Sequence, residues 1–184
     1  MEGKIVYQGK SNNGTEVIIR YPEAIDAQAM TYYINTLSDE RTFIRFQGEH
    51  LTLQKETDFL ASMLKRIEDK NAVMLLVYAG KKLIGISNIE LGDKIERHIG
   101  AFGISISKDF RGKGIGKLLM ELTEKEAISN LTNLEIIRLG VFANNPLAIE
   151  MYKKAGFIEE GRLPNGIKLE NGYQDHIYMY KPIK

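Results

Sequence analysis

The 184-residue sequence contains no cysteine. That excludes disulfides, thiolate zinc sites and a cysteine nucleophile. A dominant charge is missing too: 25 basic residues against 24 acidic ones leave a formal net charge of +1. No general field therefore attracts nucleic acid or an anionic membrane, and any affinity for phosphate must be local. Long apolar runs are also lacking. The longest, Ala72 to Ala79, is far too short to span a bilayer. Of the histidines, His50 and His176 are isolated and have no metal-ligand spacing, so no metal is expected. The start, Met1-Glu2-Gly3, has no signal-like character, and with the missing cysteines this gives the expectation of a cytoplasmic protein. Repeats, low-complexity tracts and linkers are absent as well.

What is present suits a single domain over residues 1–184, since this length with 43% apolar residues can bury a sizeable core. Two β-prone runs, Ile5 to Gly9 and Val17 to Tyr21, flank Ser11-Asn12-Asn13-Gly14, a strong hairpin signal. A helix is expected from Pro22 to about Asn35 and a second from about Thr52 to Asp69, each with apolar residues at helical spacing. Between them, Thr36 to His50 is a charged loop in which Phe43 and Phe46 either touch a ligand or anchor the loop on the core. Strands are expected over Val73 to Tyr78, Leu83 to Leu91 and Ile99 to Ile106, with turns short enough for antiparallel neighbours.

After Ile106 comes the stretch around which the chain is organised, Arg111-Gly112-Lys113-Gly114-Ile115-Gly116-Lys117, leading into a helix from Ile115 to about Asn130. Strand, glycine turn and helix in that order let successive N–H groups converge on an anion at the helix N-terminus, where the helix dipole favours negative charge. Arg111 suits bidentate phosphate contacts, while Lys113 and Lys117 add point charges. It is not a P-loop, because Arg111 stands where the first glycine should be and Leu118 where Ser or Thr should be. It is not a dinucleotide fingerprint either, since runs started at Gly112 and Gly114 end on Lys117 and Leu119.

A strand, Ile136 to Val141, follows that helix and should lie parallel to the strand before the glycine turn, as a crossover connection dictates. Next, Asn145 as N-cap, Pro146 at the first helical position and Gly156 past the end mark a short helix. Two closing strands, Phe157 to Arg162 and Tyr173 to Lys181, are expected around turns at Leu163-Pro164-Asn165-Gly166 and Glu170-Asn171-Gly172. Together these elements make an α/β (α+β mixed) fold with a mainly antiparallel mixed sheet. On the short helix Asn145 and Tyr152 are two turns apart, so their side chains project along one face about 10 Å from each other, the reach of an extended ligand arm.

The pattern Arg-x-x-Gly-x-Gly, spelled Arg111, Gly114 and Gly116, resembles the pyrophosphate loop of the GNAT superfamily of acetyl-CoA-dependent N-acetyltransferases. The run Asn144 to Phe157, in which Asn145, Ala148 and Ile149 precede Tyr152 and Gly156-Phe157, is similar to the other hallmark of that family. Gly172-Tyr173-Gln174-Asp175 with Met179 is similar to the closing strand of members that acetylate ribosomal-protein N-termini, polyamines or small amine antibiotics. The resemblance implies a GNAT-like sheet, splayed between its two parallel middle strands, and acetyl-CoA as co-substrate. It implies that the backbone of Ile104, Ser105 and Ile106 lies beside the pantetheine arm and that the amides of Arg111, Gly112, Lys113, Gly114, Ile115 and Gly116 surround the diphosphate. Asn145 would bond the pantetheine region. Tyr152 would lie near the thioester sulfur.

Acetyl transfer to an amine needs a neutral amine, a stabilised tetrahedral oxyanion and a proton for the thiolate. Strand amides near Ile106 would hold the oxygen, and Tyr152, with an ordinary pKa near ~10 against ~8.5 for a thiol, is the candidate proton donor. Many relatives place a glutamate two residues before the central glycine, where this chain has Ala101. The base is therefore Glu90, His98 or a water chain, and Glu90 is taken first. The acceptor implied is a small-molecule amine, a polyamine or a protein N-terminus, entering between the Thr36 to His50 loop and the Leu163 to Gly172 connection. The residues leave the oligomeric state open, although members of the family often form homodimers. The missing glutamate also admits a catalytically silent CoA-binding sensor or interaction module.

Overall fold

The computed structural model describes residues 1–183. In chain order it contains β1 (Ile5–Lys10), β2 (Glu16–Arg20), α1 (Ala27–Asp39), α2 (Leu53–Glu68), β3 (Ala72–Ala79), β4 (Lys82–Leu91), β5 (Ile99–Ile106), α3 (Ile115–Asn130), β6 (Ile136–Phe142), α4 (Pro146–Lys154), β7 (Ile158–Leu169) and β8 (Gly172–Pro182). The strands form an eight-stranded sheet in the order β1-β2-β3-β4-β5-β6-β8-β7. The ladders β1–β2, β2–β3, β3–β4, β6–β8 and β7–β8 are antiparallel, and β5–β6 is parallel. The parallel ladder covers only Ile99–Ala101 against Ile136–Arg138, although both strands run on, β5 to Ile106 and β6 to Phe142.

The chain divides into two compact units: residues 1–90 with 103–132, and residues 91–102 with 133 onward. In the first, β3 is buried from Ala72 to Val77 without alternation, because α2 and α3 both pack on it. That is why its sequence reads as an unbroken apolar run. The β1–β2 turn closes as expected: Gly14 takes φ 80° and donates to the Ser11 carbonyl at 2.8 Å, while the Ser11 amide donates to Thr15 at 2.8 Å. In the second unit β6 alternates, with Ile137, Leu139 and Val141 buried, and packs its apolar side with Phe102, Tyr152, Phe157, Ile177 and Met179 in a small core.

Two elements differ from the sequence expectation. The first helix does not start at Pro22: a 3-10 turn over Ala24–Asp26 precedes α1, which then continues past Asn35 to Asp39. The cause at its start is Asp26, whose carboxylate accepts from both Arg20 guanidinium nitrogens, the Tyr78 hydroxyl and the Glu23 amide. At its end Leu37 and Ser38 are buried, and the Ser38 hydroxyl donates to the Glu49 carbonyl at 2.7 Å. The second difference is at Leu163-Pro164-Asn165-Gly166, which is not a turn. β7 runs through it, with Leu163 opposite His176 and Ile167 opposite Gln174, so the segment is a bulge. Asn165 adopts φ 55° and its amide donates to Asp175 at 3.0 Å. β7 is an edge strand, where proline is tolerated. In the Thr36 to His50 loop Phe43 is exposed and Phe46 half-buried.

Candidate active site

The first unit carries the anion cradle. Gly112 and Gly114 take φ 71° and 76°, values that a side chain disfavours, and they turn the chain sharply into α3. The amides of Gly112, Lys113 and Gly114 have no acceptor among the described residues. Those of Ile115, Gly116 and Lys117 open α3, where no intrahelical partner exists, and the first helical bond is Leu118 to Gly114 at 3.2 Å. No side chain caps this helix. Six successive N–H groups are thus left for an anion, at the positive end of the helix dipole.

Neighbouring side chains hold the loop in shape. The Asn13 amide donates to the Gly112 carbonyl at 3.1 Å, which fixes the plane of the Gly112–Lys113 peptide and hence the direction of its N–H. A Cβ on Gly114 would stand 3.2 Å from the Cβ of Asn12. The Arg111 guanidinium, expected on the phosphates, instead donates to the Ile106 carbonyl at 2.8 Å and pairs with Glu40, so its main visible role is to tie β5 to α1. Lys117 lies 3.8 Å from Glu121, while Lys113 has no carboxylate partner among the described residues. On β5, the Tyr33 and Ser105 hydroxyls bond at 2.9 Å, which fixes the middle of Ile104–Ile106, all three of them half-buried. Tyr33 itself is buried, and burial pushes its phenol above the ordinary range.

Glu90, the first-choice base, ends a polar chain on β4. It accepts from the Asn88 amide at 2.8 Å, and Arg66 lies 3.4 Å away. Asn88 in turn occupies the space above Gly103, with its Oδ1 2.8 Å from where a Cβ would stand. A side chain at Gly103 would therefore displace the Asn88 amide and break its link to Glu90. His98 precedes β5 at its N-terminal end, whereas the glycine loop leaves the C-terminal end. Ala101 pairs in register with Arg138 and bears no acid.

The second unit carries the phenol. Asn145 caps α4, its Oδ1 accepting from the Ala148 amide at 3.3 Å, which leaves its NH2 without a partner among the described residues. α4 ends in a Schellman motif: the Phe157 amide donates to the Tyr152 carbonyl at 3.0 Å, the Gly156 amide to the Lys153 carbonyl at 3.0 Å, and Gly156 takes φ 93°. The same stop folds the Phe157 ring back to 5.7 Å from the Tyr152 ring, and Phe102 meets Tyr152 edge-on at 6.1 Å. Tyr152 is 7% exposed, and burial pushes its pKa up to about 12. Its hydroxyl has no hydrogen-bond partner among the described residues, yet is not among the fully enclosed unpaired atoms. It is a protonated donor at neutral pH with no acceptor assigned to it.

The sequence model described as "Acetyltransferase (GNAT) family" matches residues 32–157. The chain belongs to the GNAT acetyltransferase family. The spermidine N(1)-acetyltransferase of Vibrio cholerae is 34% identical over 150 residues, which is 80% of this chain and 84% of the relative. A crystal structure of spermidine N-acetyltransferase from Vibrio cholerae with CoA and spermine matches with a TM-score of 0.72 and 26% identity over 90% of this chain and 95% of that one. The L-amino acid N-acetyltransferase AaaT of Escherichia coli is 28% identical over 177 residues, 90% of this chain and 97% of the relative. A GNAT-family acetyltransferase from Streptococcus pneumoniae matches with a TM-score of 0.83 and 32% identity over 91% of this chain and all of that one. The protein is accordingly an acyltransferase of the mixed α/β GNAT fold. Among the described residues no cluster of His, Cys, Asp or Glu could hold a metal ion, and no helix is long and apolar enough to cross a membrane.

Sequence reasoning missed three parts of this arrangement: the Asn88 link between Gly103 and Glu90, the Tyr33–Ser105 bond, and the Glu40 partner of Arg111. Each joins residues whose relation depends on strand pairing or helix docking. None leaves a local pattern in the chain.

Proposed function

We propose that the protein transfers the acetyl group of acetyl-CoA to a primary amine by direct attack, with residues 1–184 acting as one catalytic domain. The observation that carries this reading is the run of six unpartnered amides from Gly112 to Lys117 at the start of α3, which matches a diphosphate in charge and shape. The family assigns the rest of the coenzyme to the backbone of Ile104, Ser105 and Ile106 and to the free amide of Asn145. Named relatives act on spermidine, on L-amino acids and on the alanine of a ribosomal protein, so the acceptor class is a primary amine, whether small molecule, polyamine or protein N-terminus.

The proton traffic follows from the groups present. An alkylamine enters as an ammonium with a pKa near ~10 and must lose a proton before it can attack. Glu90, held by Asn88 and Arg66, takes that proton through water. The nitrogen lone pair then forms the C–N bond, the C–S bond breaks, and the sulfur receives a proton from Tyr152. With its pKa pushed up to about 12, Tyr152 is some ~3.5 units less acidic than a thiol, so a lasting phenolate would cost about 5 kcal/mol. The phenolate is therefore refilled by the second proton the nitrogen sheds as it becomes an amide. Tyr152 relays one proton per turnover and ends as it began.

The test is release of free thiol from acetyl-CoA with spermidine, a set of L-amino acids and an alanine-terminated peptide as acceptors. Turnover with any of them supports transfer. CoA binding without turnover on the whole panel would leave only a binding module.

A further inference from the structure

Three connections meet at the edge of the first unit that carries the cradle. The β1–β2 turn presses on Gly112 and Gly114 through Asn13 and Asn12. The connection between β3 and β4 ends on Lys82, the first residue of β4, whose ammonium lies 5.8 Å from the centroid of the Phe110 ring. The glycine loop brings Lys113, whose ammonium lies 4.9 Å from the same ring. Phe110 is half-buried and Lys82 exposed. Among the described residues no carboxylate is within ion-pair distance of either lysine.

Each of these two cations approaches the same ring without a carboxylate partner among the described residues, so a dianion bound beside Phe110 would gain two countercharges. Elsewhere on the loop positive charge is already matched, Arg111 by Glu40 and Lys117 by Glu121. The cradle itself supplies amide dipoles equivalent to only about half a charge. The diphosphate already occupies those amides, so a phosphomonoester, which carries roughly −1.5 to −2 at pH 7, needs countercharges of its own. Coenzyme A has one such group, on the 3′ position of its ribose.

Resting on the reading that Gly112 to Lys117 hold the coenzyme diphosphate, we infer that Lys82 and Lys113, on the ring of Phe110, form a second anion subsite that takes the 3′-phosphate. Lys82 is then a binding residue contributed by the start of β4, remote in sequence from the glycine loop, and it makes the protein discriminate coenzyme A from 3′-dephospho-coenzyme A. Phe110 is the ring that both ammonium groups approach.

Calorimetry of the purified protein with coenzyme A and with 3′-dephospho-coenzyme A tests this, using the unaltered chain, Lys82→Met, and Lys82→Met with Lys113→Met. The unaltered chain should prefer coenzyme A by about tenfold. Lys82→Met should weaken coenzyme A by about fivefold and leave the dephospho analogue within about twofold, and the double variant should abolish the preference. Equal binding of the two ligands by the unaltered chain, or equal weakening of both by Lys82→Met, would overturn the subsite while leaving the cradle intact. Binding of neither ligand would overturn the coenzyme reading and the subsite together.

Discussion

The amide of Phe157 donates to the carbonyl of Tyr152 at 3.0 Å while their rings sit 5.7 Å apart, so the stop of α4 and the orientation of its phenol are one piece of structure. Phe102 meets the same ring edge-on and lies 6.3 Å from Phe157, so the ring of Tyr152 is clamped within a three-ring cluster while its hydroxyl has no hydrogen-bond partner among the described residues. Tyr152→Phe therefore removes chemistry and almost nothing else. We expect kcat to fall about a hundredfold, coenzyme A affinity to stay within about twofold, and thermal stability to be unchanged. Undiminished turnover in steady-state assays would take Tyr152 out of the mechanism.

Gly156 tests the same clamp from the backbone. Its φ of 93° is what a Schellman stop demands, and an added Cβ would meet only the end of Lys181, at 3.7 Å, so the penalty of a side chain is conformational rather than steric. Gly156→Ala should cost about 1 kcal/mol and lower the melting temperature by a few degrees. Because relaxing the stop tilts Tyr152, kcat should drop more than the KM for acetyl-CoA rises. A loss of stability with unaltered kcat would separate the stop from the phenol.

Most of the architecture was legible because it rests on local rules. Asn-Gly marks a hairpin, Asn145-Pro146 and Gly156 bracket a helix, and alternation marks β6. The glycine loop was legible for the same reason, since a strand, two positive-φ glycines and a helix are contiguous. What local rules misjudged was Pro164-Asn165-Gly166, a strong turn signal that became a bulge because Asp175 on the neighbouring strand binds the Asn165 amide. The Glu40 partner of Arg111, which follows the end of α1, was not legible either. Pairings between distant segments decide these positions, and no window of sequence contains both partners.

The cradle predicts a binding defect with little effect on chemistry. At Gly114 a side chain faces both a φ of 76° and the Cβ of Asn12 at 3.2 Å, and a β-branched residue tolerates that conformation least. Gly114→Val should raise the KM for acetyl-CoA by about tenfold or more, with the KM for the amine unchanged and kcat at saturation mostly retained. Initial-rate measurements with each substrate varied in turn decide it. Equal rises in both KM values would mean general unfolding of the loop region.

Alkaline pH should destabilise the protein through its buried phenols. Burial raises Tyr21, Tyr33 and Tyr78 above the ordinary range and Tyr152 to about 12. For each, the folded state retains its proton after the unfolded chain has lost it near ~10, so the stabilisation is complete below that pH and is lost as pH climbs through the folded value. Tyr152 alone contributes about 2 to 3 kcal/mol to this loss by pH ~12. Urea denaturation at pH 8, 10 and 11 should give a falling midpoint. In Tyr152→Phe the fall should be shallower, and an identical slope would show that the phenol is not buried in solution.

At acid pH the vulnerable group is Asp26. It is 4% exposed, and burial by itself would raise its pKa. Bonds from Arg20, the Glu23 amide and Tyr78 outweigh that and hold it below the ordinary carboxylate range. A lowered carboxylate stabilises the fold above its unfolded pKa and loses that contribution as pH falls through the folded one, so stability should decline below about pH 4. Asp26→Asn removes the charge at every pH and leaves Arg20, 16% exposed and lying 4.9 Å from the centre of the Tyr78 ring, with the more exposed Glu23, 3.5 Å away, as its remaining counter-ion. The expected cost is about 2 kcal/mol at pH 7, because Arg20 loses its enclosed partner and keeps only an exposed one, which is more damaging than removing both charges. Replacing Arg20 as well, in Arg20→Met with Asp26→Asn, should recover part of the loss. Chemical denaturation of the single and double variants measures the coupling. A double variant less stable than the sum of its parts would mean that Arg20 supports the fold through its bond to the Tyr21 carbonyl, at 2.9 Å, and not through Asp26.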